Sequence, residues 1–128
     1  MEVSCTWSRL GDVYRAVRRA VSPSALIMAH FSHAYREGCS IYFTFAGYKG
    51  NPEALERLYD KVWSDALGAV VRAGGSISHH HGIGLAKRDV MGREHGAGIH
   101  LLYAVKDGLD PSEQLNPGKL LPERAVLE

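Results

Sequence analysis

The segment "SALIMAHFSHAYREGCSIYFTFAGY", residues 24–48, decides the fold because it holds two β-rich runs around a short connection. The connection "AYREG" carries a glycine, which suits a turn between strands. Side chains alternate between the two faces of a strand, so Ile41 and Phe43 point one way and Tyr42 points the other. The segment therefore predicts an antiparallel hairpin with one apolar face.

Amphipathic helices are predicted on both sides of this hairpin. Between residues 8 and 21, apolar residues recur at three- and four-residue steps, which is the helical period. After the hairpin, Asn51 can cap a helix whose first position is Pro52. The apolar stripe of this second helix stops at the pair Gly74 and Gly75, where a helix end is expected.

The last part of the chain is less regular. "SISHHHGIG" is interpreted as a short strand, a polar run follows, and a further helix is predicted near residues 98–105. The end of the chain is rich in proline and is predicted to be irregular. The pattern is typical of the α+β class, an antiparallel hairpin with packed helices. So small a sheet normally gains strands from more chain or from a partner.

Composition excludes several classes of protein. The 128 residues suit one compact domain, and 15 basic against 14 acidic residues give a net charge of +1. This balance leaves no excess of positive charge with which to bind a nucleic acid. The sequence shows neither a membrane-spanning run nor a secretory signal, which predicts a soluble protein. Cys5 and Cys39 lie outside any CxxC motif and are interpreted as ordinary thiols of a reducing compartment.

Tyr42 is the first candidate for chemistry. His30 and His33 are predicted to lie on opposite faces of the first hairpin strand, so that one of them shares the face of Tyr42. A tyrosine and a histidine on one face can exchange a proton. The alternative interpretation of Tyr42 is a half-buried strand tyrosine whose hydroxyl simply finds a partner.

The stretch "SHHHGIG" is the second candidate, with three interpretations. A zinc site would need more ligands, because adjacent side chains in an extended segment diverge and at most His79 and His81 point to one side. The second interpretation of this stretch is a solvent-exposed loop. An active-site segment is the third, since imidazoles titrate near neutral pH and Gly82 and Gly84 let backbone approach a planar or anionic ligand.

Basic residues follow the triplet closely. Lys87 and Arg88 could hold an anionic group of a substrate, and the alternative is a solvated helix surface.

Four segments together resemble a known family. "TWSRLGDVYRAVRRAV", "FSHAYREGCSIYFTF", "GGSISHHHGIGLAKRD" and "DPSEQLNPGKLLP", in this order, resemble the C-terminal end of FAD-linked oxidases of the vanillyl-alcohol oxidase superfamily. The branch they resemble most is that of the alkyldihydroxyacetonephosphate (alkylglycerone-phosphate) synthases, which act in ether-lipid synthesis. The resemblance implies residues 1–110 as part of a ferredoxin-like cap domain and residues 111–128 as a flavin-covering tail.

The resemblance also implies a role for each matching residue. Tyr42 matches the acid/base tyrosine, and the triplet assists proton transfer beside the flavin. Asn116 lies in a segment that closes over the flavin, and His33 matches a histidine at the edge of the active site. The chemistry of the residues and the resemblance together give the following assignments: catalytic Tyr42, His79, His80 and His81; cofactor-binding His81, Gly82, Gly84 and Asn116; substrate-binding His33, Lys87 and Arg88; no metal ligand.

The family's glycine-rich FAD-binding segments have no counterpart in this sequence, so the chain is expected to be a C-terminal fragment. The implied partners are an N-terminal FAD-binding domain of the same protein, a small-molecule or lipid-precursor substrate, and a second copy in a homodimer. The parent would be cytoplasmic in a bacterium, or peroxisomal in a eukaryote. The competing hypothesis is a stand-alone histidine-rich module that binds a metal or an anion without catalysis.

Overall fold

The computed structural model describes residues 1–124, and the chain divides after His81 into two compact units. The first unit is a small sheet with two long helices, and the second is a run of short helices followed by turns. The elements of the first unit are β1 (Glu2–Thr6), a 3-10 turn (Trp7–Arg9), α1 (Leu10–Val21), β2 (Leu26–Ala34), β3 (Gly38–Ala46) and α2 (Pro52–Arg72).

The three strands form one antiparallel sheet in the order β1-β3-β2. The predicted hairpin is confirmed as β2 and β3, with His30 opposite Tyr42 and Phe31 opposite Ile41. The α+β class is confirmed as well, because α1 and α2 join the sheet in one hydrophobic core.

The core lies on one face of the sheet. Val3, Ile41 and Phe43 point into it and are at most 1% exposed. Burial of each such side chain contributes about 1.5–3 kcal/mol, so this face supplies much of the free energy of folding. Helix residues complete the core: Val13, Val17 and Val21 from α1, and Val62, Ala66 and Val70 from α2.

Both predicted helices of the first unit are confirmed. The side chain of Asn51 accepts a hydrogen bond from the backbone N–H of Ala54 at 2.8 Å, so it caps α2 as expected. Pro52 occupies the first turn, where its missing N–H costs nothing. Gly74, with φ of 76°, follows the helix in the left-handed conformation that favours glycine.

The predicted strand at the histidine triplet is wrong. Residues 76–81 contribute one bridge, Ser4 with Ser76, and the third strand is β1 at the start of the chain. The five residues of β1 are too few for alternation to identify a strand from sequence. In this register Cys5 lies directly opposite Cys39.

The second unit contains three helices among its described residues. The predicted helix near residues 98–105 is confirmed as α5, and the polar run before it folds into two short helices. The elements are α3 (Gly84–Arg88), α4 (Met91–His95), a 3-10 turn (Gly96–Gly98) and α5 (Ile99–Leu109). Across residues 1–124, no helix is both long enough and apolar enough to cross a membrane.

The tail after α5 is irregular, as predicted, and is held by side chains. Asp110 accepts hydrogen bonds from the backbone N–H groups of Gln114 at 2.8 Å and Leu115 at 2.9 Å, and it also pairs with Lys106. The hydrogen bond from Lys106, followed by that from Leu115, lowers the pKa of Asp110. The tail predicted for residues 111–128 extends past residue 124, and its last four residues lie outside the described part.

Candidate active site

The second face of the sheet is polar, and Tyr42 lies at its centre. Alternation places Glu2 of β1, Tyr42 of β3 and His30 of β2 side by side across the three strands. The His30 ring stacks on the Tyr42 ring, with centroids 4.9 Å apart and planes 13° apart. One predicted neighbour of Tyr42 is therefore confirmed.

The histidine triplet reaches this face because β1 holds the preceding segment. Ser4 and Ser76 exchange two backbone hydrogen bonds, of 3.0 and 2.8 Å. The hydroxyls of both serines also donate to the carbonyl oxygen of Ser78, at 3.3 and 2.9 Å. These bonds fix the chain just before His79 and aim the triplet at the polar face.

Glu2 lies beneath the triplet and is 1% exposed. Its Oε2 accepts a hydrogen bond from the backbone N–H of His79 at 3.1 Å. Its Oε1 lies 3.3 Å from Nδ1 of His79 and 3.4 Å from Nδ1 of His80. Glu2 is absent from the predicted site residues, because only the unrecognised strand β1 places it under the triplet.

The Tyr42 hydroxyl contacts two imidazoles. It lies 2.6 Å from Nε2 of His81 and 3.3 Å from Nε2 of His80. A hydroxyl carries a single proton, so it can donate to one of these nitrogens while it accepts from the other. The three groups form a connected path along which a proton can move.

His80 links this path to Glu2. Its Nδ1 lies 2.8 Å from Nδ1 of His79, so one of these two nitrogens carries the proton that the other accepts. Desolvation lowers the pKa of His80, the neighbouring imidazoles lower it further, and the carboxylate of Glu2 opposes them. A neutral His80 keeps one nitrogen able to accept a proton near neutral pH.

His33 joins the cluster through a β-bulge. The register of β2 shifts between Ser32 and Ala34, and His33 has φ of 50°. Its ring lies 4.7 Å from that of His80 and 5.5 Å from that of His79, centroid to centroid. The prediction that only one of His30 and His33 shares the face of Tyr42 is wrong, since the bulge interrupts the alternation.

The bulge also creates a group of metal-capable ligands. One nitrogen each of His33, His79 and His80 lies within 4.8 Å of the others. The argument that adjacent histidines diverge is wrong for His79 and His80, because this segment bends and is not extended. A third imidazole from β2 completes a set that could hold a metal ion.

The remaining predicted residues belong to the second unit. Gly82 and Gly84 have φ of 76° and 57°, and a Cβ at either position would meet no atom within 4 Å. Lys87 is 4% exposed, so its interpretation as a solvated helix surface is wrong. Arg88 donates to the carbonyl oxygen of Gly118 at 2.6 Å and pairs with Asp89 at 3.0 Å. Asn116 has φ of 49° within the tail.

Known proteins with similar sequences include a synthase, an oxidoreductase and a dehydrogenase. The chain is 34% identical over 117 residues to an alkyldihydroxyacetonephosphate synthase of Trypanosoma brucei brucei, covering 91% of the chain and 19% of that protein. It is 30% identical over 131 residues to an uncharacterized FAD-linked oxidoreductase of Escherichia coli O157:H7, covering 94% and 27%. It is 28% identical to a mitochondrial D-2-hydroxyglutarate dehydrogenase of Bos taurus, covering 97% and 22%.

The chain thus spans between 19% and 27% of the length of these relatives. The family described as FAD linked oxidases, C-terminal domain, matches residues 1–120. This match confirms the resemblance predicted from the four segments, and the chain belongs to the FAD-linked oxidases as a member of their C-terminal domain family.

Proposed function

We propose that this chain is the proton-transferring C-terminal part of a larger FAD-dependent enzyme, an oxidoreductase or an alkylglycerone-phosphate synthase. The observation that carries the proposal is the Tyr42 hydroxyl, 2.6 Å from His81 and 3.3 Å from His80. Membership of the family supports FAD as the cofactor and an N-terminal FAD-binding domain of the same protein as the partner.

The residues of the chain suit a planar, anionic cofactor. The backbone at Gly82 and Gly84 is open, with no atom within 4 Å of a Cβ position, so a flat ring could approach it closely. The histidine triplet, residues 79–81, directly precedes these glycines. Its side chains are exposed and can donate hydrogen bonds. Asn116 is proposed to cover the cofactor. FAD, when bound, supplies the electron-accepting ring that side chains lack.

In this proposal Tyr42 exchanges a proton with the substrate. Its phenolic oxygen is the polar atom between the two imidazoles, and His81 at 2.6 Å is the nearer group with which it can share a proton. His80 accepts or returns the proton through Nε2, while its Nδ1 stays beside the carboxylate of Glu2. A buried carboxylate next to Nδ1 favours the tautomer that leaves Nε2 free to accept.

The substrate is proposed to be a small anionic molecule or a phosphate-bearing lipid precursor. Two of the relatives support this, since their names are those of an alkyldihydroxyacetonephosphate synthase and a D-2-hydroxyglutarate dehydrogenase. His33, with its ring within 4.7 Å of that of His80, is proposed to contact the substrate. Lys87 and Arg88 are proposed to contribute positive charge.

Replacement of Tyr42 tests the proposal in the full-length protein. We expect Tyr42→Phe to lower the turnover of substrate by about 10²–10⁴-fold, because a general acid/base group contributes that much. Flavin content and melting temperature should stay unchanged. Tyr48→Phe is the matched control, since Tyr48 is 85% exposed. Full activity of Tyr42→Phe, with the flavin bound, would contradict the acid/base role.

A second candidate function is metal binding by His33, His79 and His80, favoured by their nitrogens lying within 4.8 Å of one another. The chain purified without a histidine tag should then carry about one equivalent of zinc, and zinc should raise its melting temperature. His33→Gln should abolish both effects, while His100→Gln, in α5, should leave both intact. A metal-free protein with a melting temperature indifferent to zinc would remove this candidate.

A further inference from the structure

An open cavity of about 580 Å³ lies between α1 and α2. Its walls carry three guanidinium groups, and its floor consists of short side chains that leave the space between the helices unfilled. The arginines are Arg9, Arg19 and Arg72, and the floor residues are Ala16, Ala20, Ala69 and Ala73.

The three arginines have no partner inside the described part of the chain. Within residues 1–124, Arg9, Arg19 and Arg72 make neither a side-chain hydrogen bond nor an ion pair. The carboxylate that lines the cavity, Asp12, is already paired with Arg15 at 2.9 Å. The cavity therefore carries three unpaired cations, which repel one another, and one carboxylate that already has a partner.

Glycines make room for two of these guanidinium groups. Nε of Arg9 lies 3.4 Å from the position that a Cβ on Gly74 would occupy, so Arg9 extends over the end of α2. Nη1 of Arg72 lies 3.1 Å from the corresponding position on Gly68. Arg19 follows Arg9 by ten residues, a distance of about 15 Å along a helix. The positive charge is therefore spread along the cavity.

Helix stability explains only part of this arrangement. Arg19 and Arg72 lie in the last turns of α1 and α2, where a cation interacts favourably with the helix dipole. Arg9 occupies the N-cap of α1, where the dipole disfavours a cation and Ser, Thr, Asp or Asn would be the stabilising choices. The chain as a whole has a net charge of only +1, so basic composition does not account for Arg9 either.

We propose that this cavity binds a ligand that carries phosphate groups. The planar guanidinium fork pairs with two phosphate oxygens at once, which suits arginine better than lysine for this task. α1 and α2 cover the apolar face of the sheet, whereas Tyr42 lies on the polar face. The proposal is therefore independent of the proposed function.

Titration calorimetry of the full 128-residue chain with inorganic pyrophosphate tests the site. We expect saturable binding that weakens with added salt, and a loss of about tenfold in affinity for Arg9→Gln and for Arg72→Gln. Arg57→Gln is the matched control, because Arg57 is an exposed arginine of α2 outside the cavity. Melting temperatures of all three variants verify that they fold.

A second arm distinguishes the source of the phosphate. Vesicles of phosphatidylcholine containing phosphatidic acid are compared with vesicles of phosphatidylcholine alone. Binding to pyrophosphate that depends on Arg9 and Arg72 supports a soluble phosphate ligand, and binding only to phosphatidic acid vesicles with the same dependence supports a lipid headgroup. The proposal would be overturned if the chain bound neither pyrophosphate nor phosphatidic acid vesicles, or if Arg57→Gln weakened the binding as much as Arg9→Gln and Arg72→Gln.

Discussion

The two faces of the three-stranded sheet bury side chains in opposite ways. On the apolar face, Val3 and Phe43 are covered by the two long helices. On the polar face, Glu2 and Ser40 are at most 1% exposed, and each has a hydrogen-bond partner: the N–H of His79 for Glu2, and the carbonyl oxygen of Ser32 for Ser40. Period-two alternation lets the same strands supply stability on one side and a cluster of titratable groups on the other.

The largest effect is expected from truncation on the apolar face. Phe43→Ala should lower the free energy of unfolding by about 3–5 kcal/mol, because it removes a fully buried ring and leaves a cavity. Chemical denaturation measures the change. Phe31→Ala is the control, since Phe31 is 57% exposed, and it should cost far less. Phe31 lies opposite Ile41, on the same face as Phe43, so equal losses for the two variants would show that burial under the helices does not set the stability of this face.

The next largest effect concerns the thiol at the edge of the apolar face. Burial, with a contribution from Cys39, raises the pKa of Cys5 from 9.0 to about 11. The thiolate is the reactive form, so alkylation of Cys5 by iodoacetamide near neutral pH should be about a hundredfold slower than in the unfolded chain. The rate should rise with pH up to about 11. Peptide mapping reports on Cys5 separately from Cys39, and equal rates in the two states would show that the edge of the core is open to water.

A smaller effect is expected at the buried carboxylate of the polar face. Glu2→Ala should cost about 1–3 kcal/mol, since the backbone N–H of His79 loses its buried acceptor. Glu2→Gln retains an acceptor oxygen and should recover most of this loss. In the Glu2→Gln variant, the NMR chemical shifts of the imidazole nitrogens of His79 and His80 should nevertheless change, because the charge beside both Nδ1 atoms is gone. Unchanged shifts in Glu2→Gln would contradict a role for the charge in setting the tautomers.

The smallest effect is expected at His30, which stacks on Tyr42 at 4.9 Å but is exposed. His30→Ala should change the free energy of unfolding by no more than about 0.5–1 kcal/mol, in line with an exposed aromatic contact. Denaturation under the conditions used for Phe43→Ala makes the values comparable. A loss as large as that of Phe43→Ala would mean that the polar face also carries the stability of the sheet.

The sequence predicts the elements that a regular period or a helix cap specifies. The hairpin, α1 and α2 follow from alternation, from the helical period, and from Asn51 and Pro52. β1 could not be predicted, because five residues give too little alternation and its partner β3 lies over thirty residues away. Its role becomes visible only when the strands pair.

The candidate site, too, could be predicted only in part. Tyr42 and the triplet are recognisable from the sequence as residues whose side chains can transfer protons. Their contact depends on long-range events: the bridge of Ser4 with Ser76, and the bulge at His33. Neither event leaves a local sequence pattern. The participation of Glu2, and of both His30 and His33 from β2, could therefore not be predicted.

The bulge at His33 has a consequence for which amino acids this position tolerates. A backbone φ of 50° is strained for side chains branched at Cβ but is readily adopted by glycine and asparagine. A library of substitutions at His33 should therefore rank by backbone compatibility, with asparagine and glycine retained and valine and isoleucine lost, even in a screen that reads only folding. Natural variation at this position is thus constrained by the geometry of the main chain before any chemistry of the imidazole is considered.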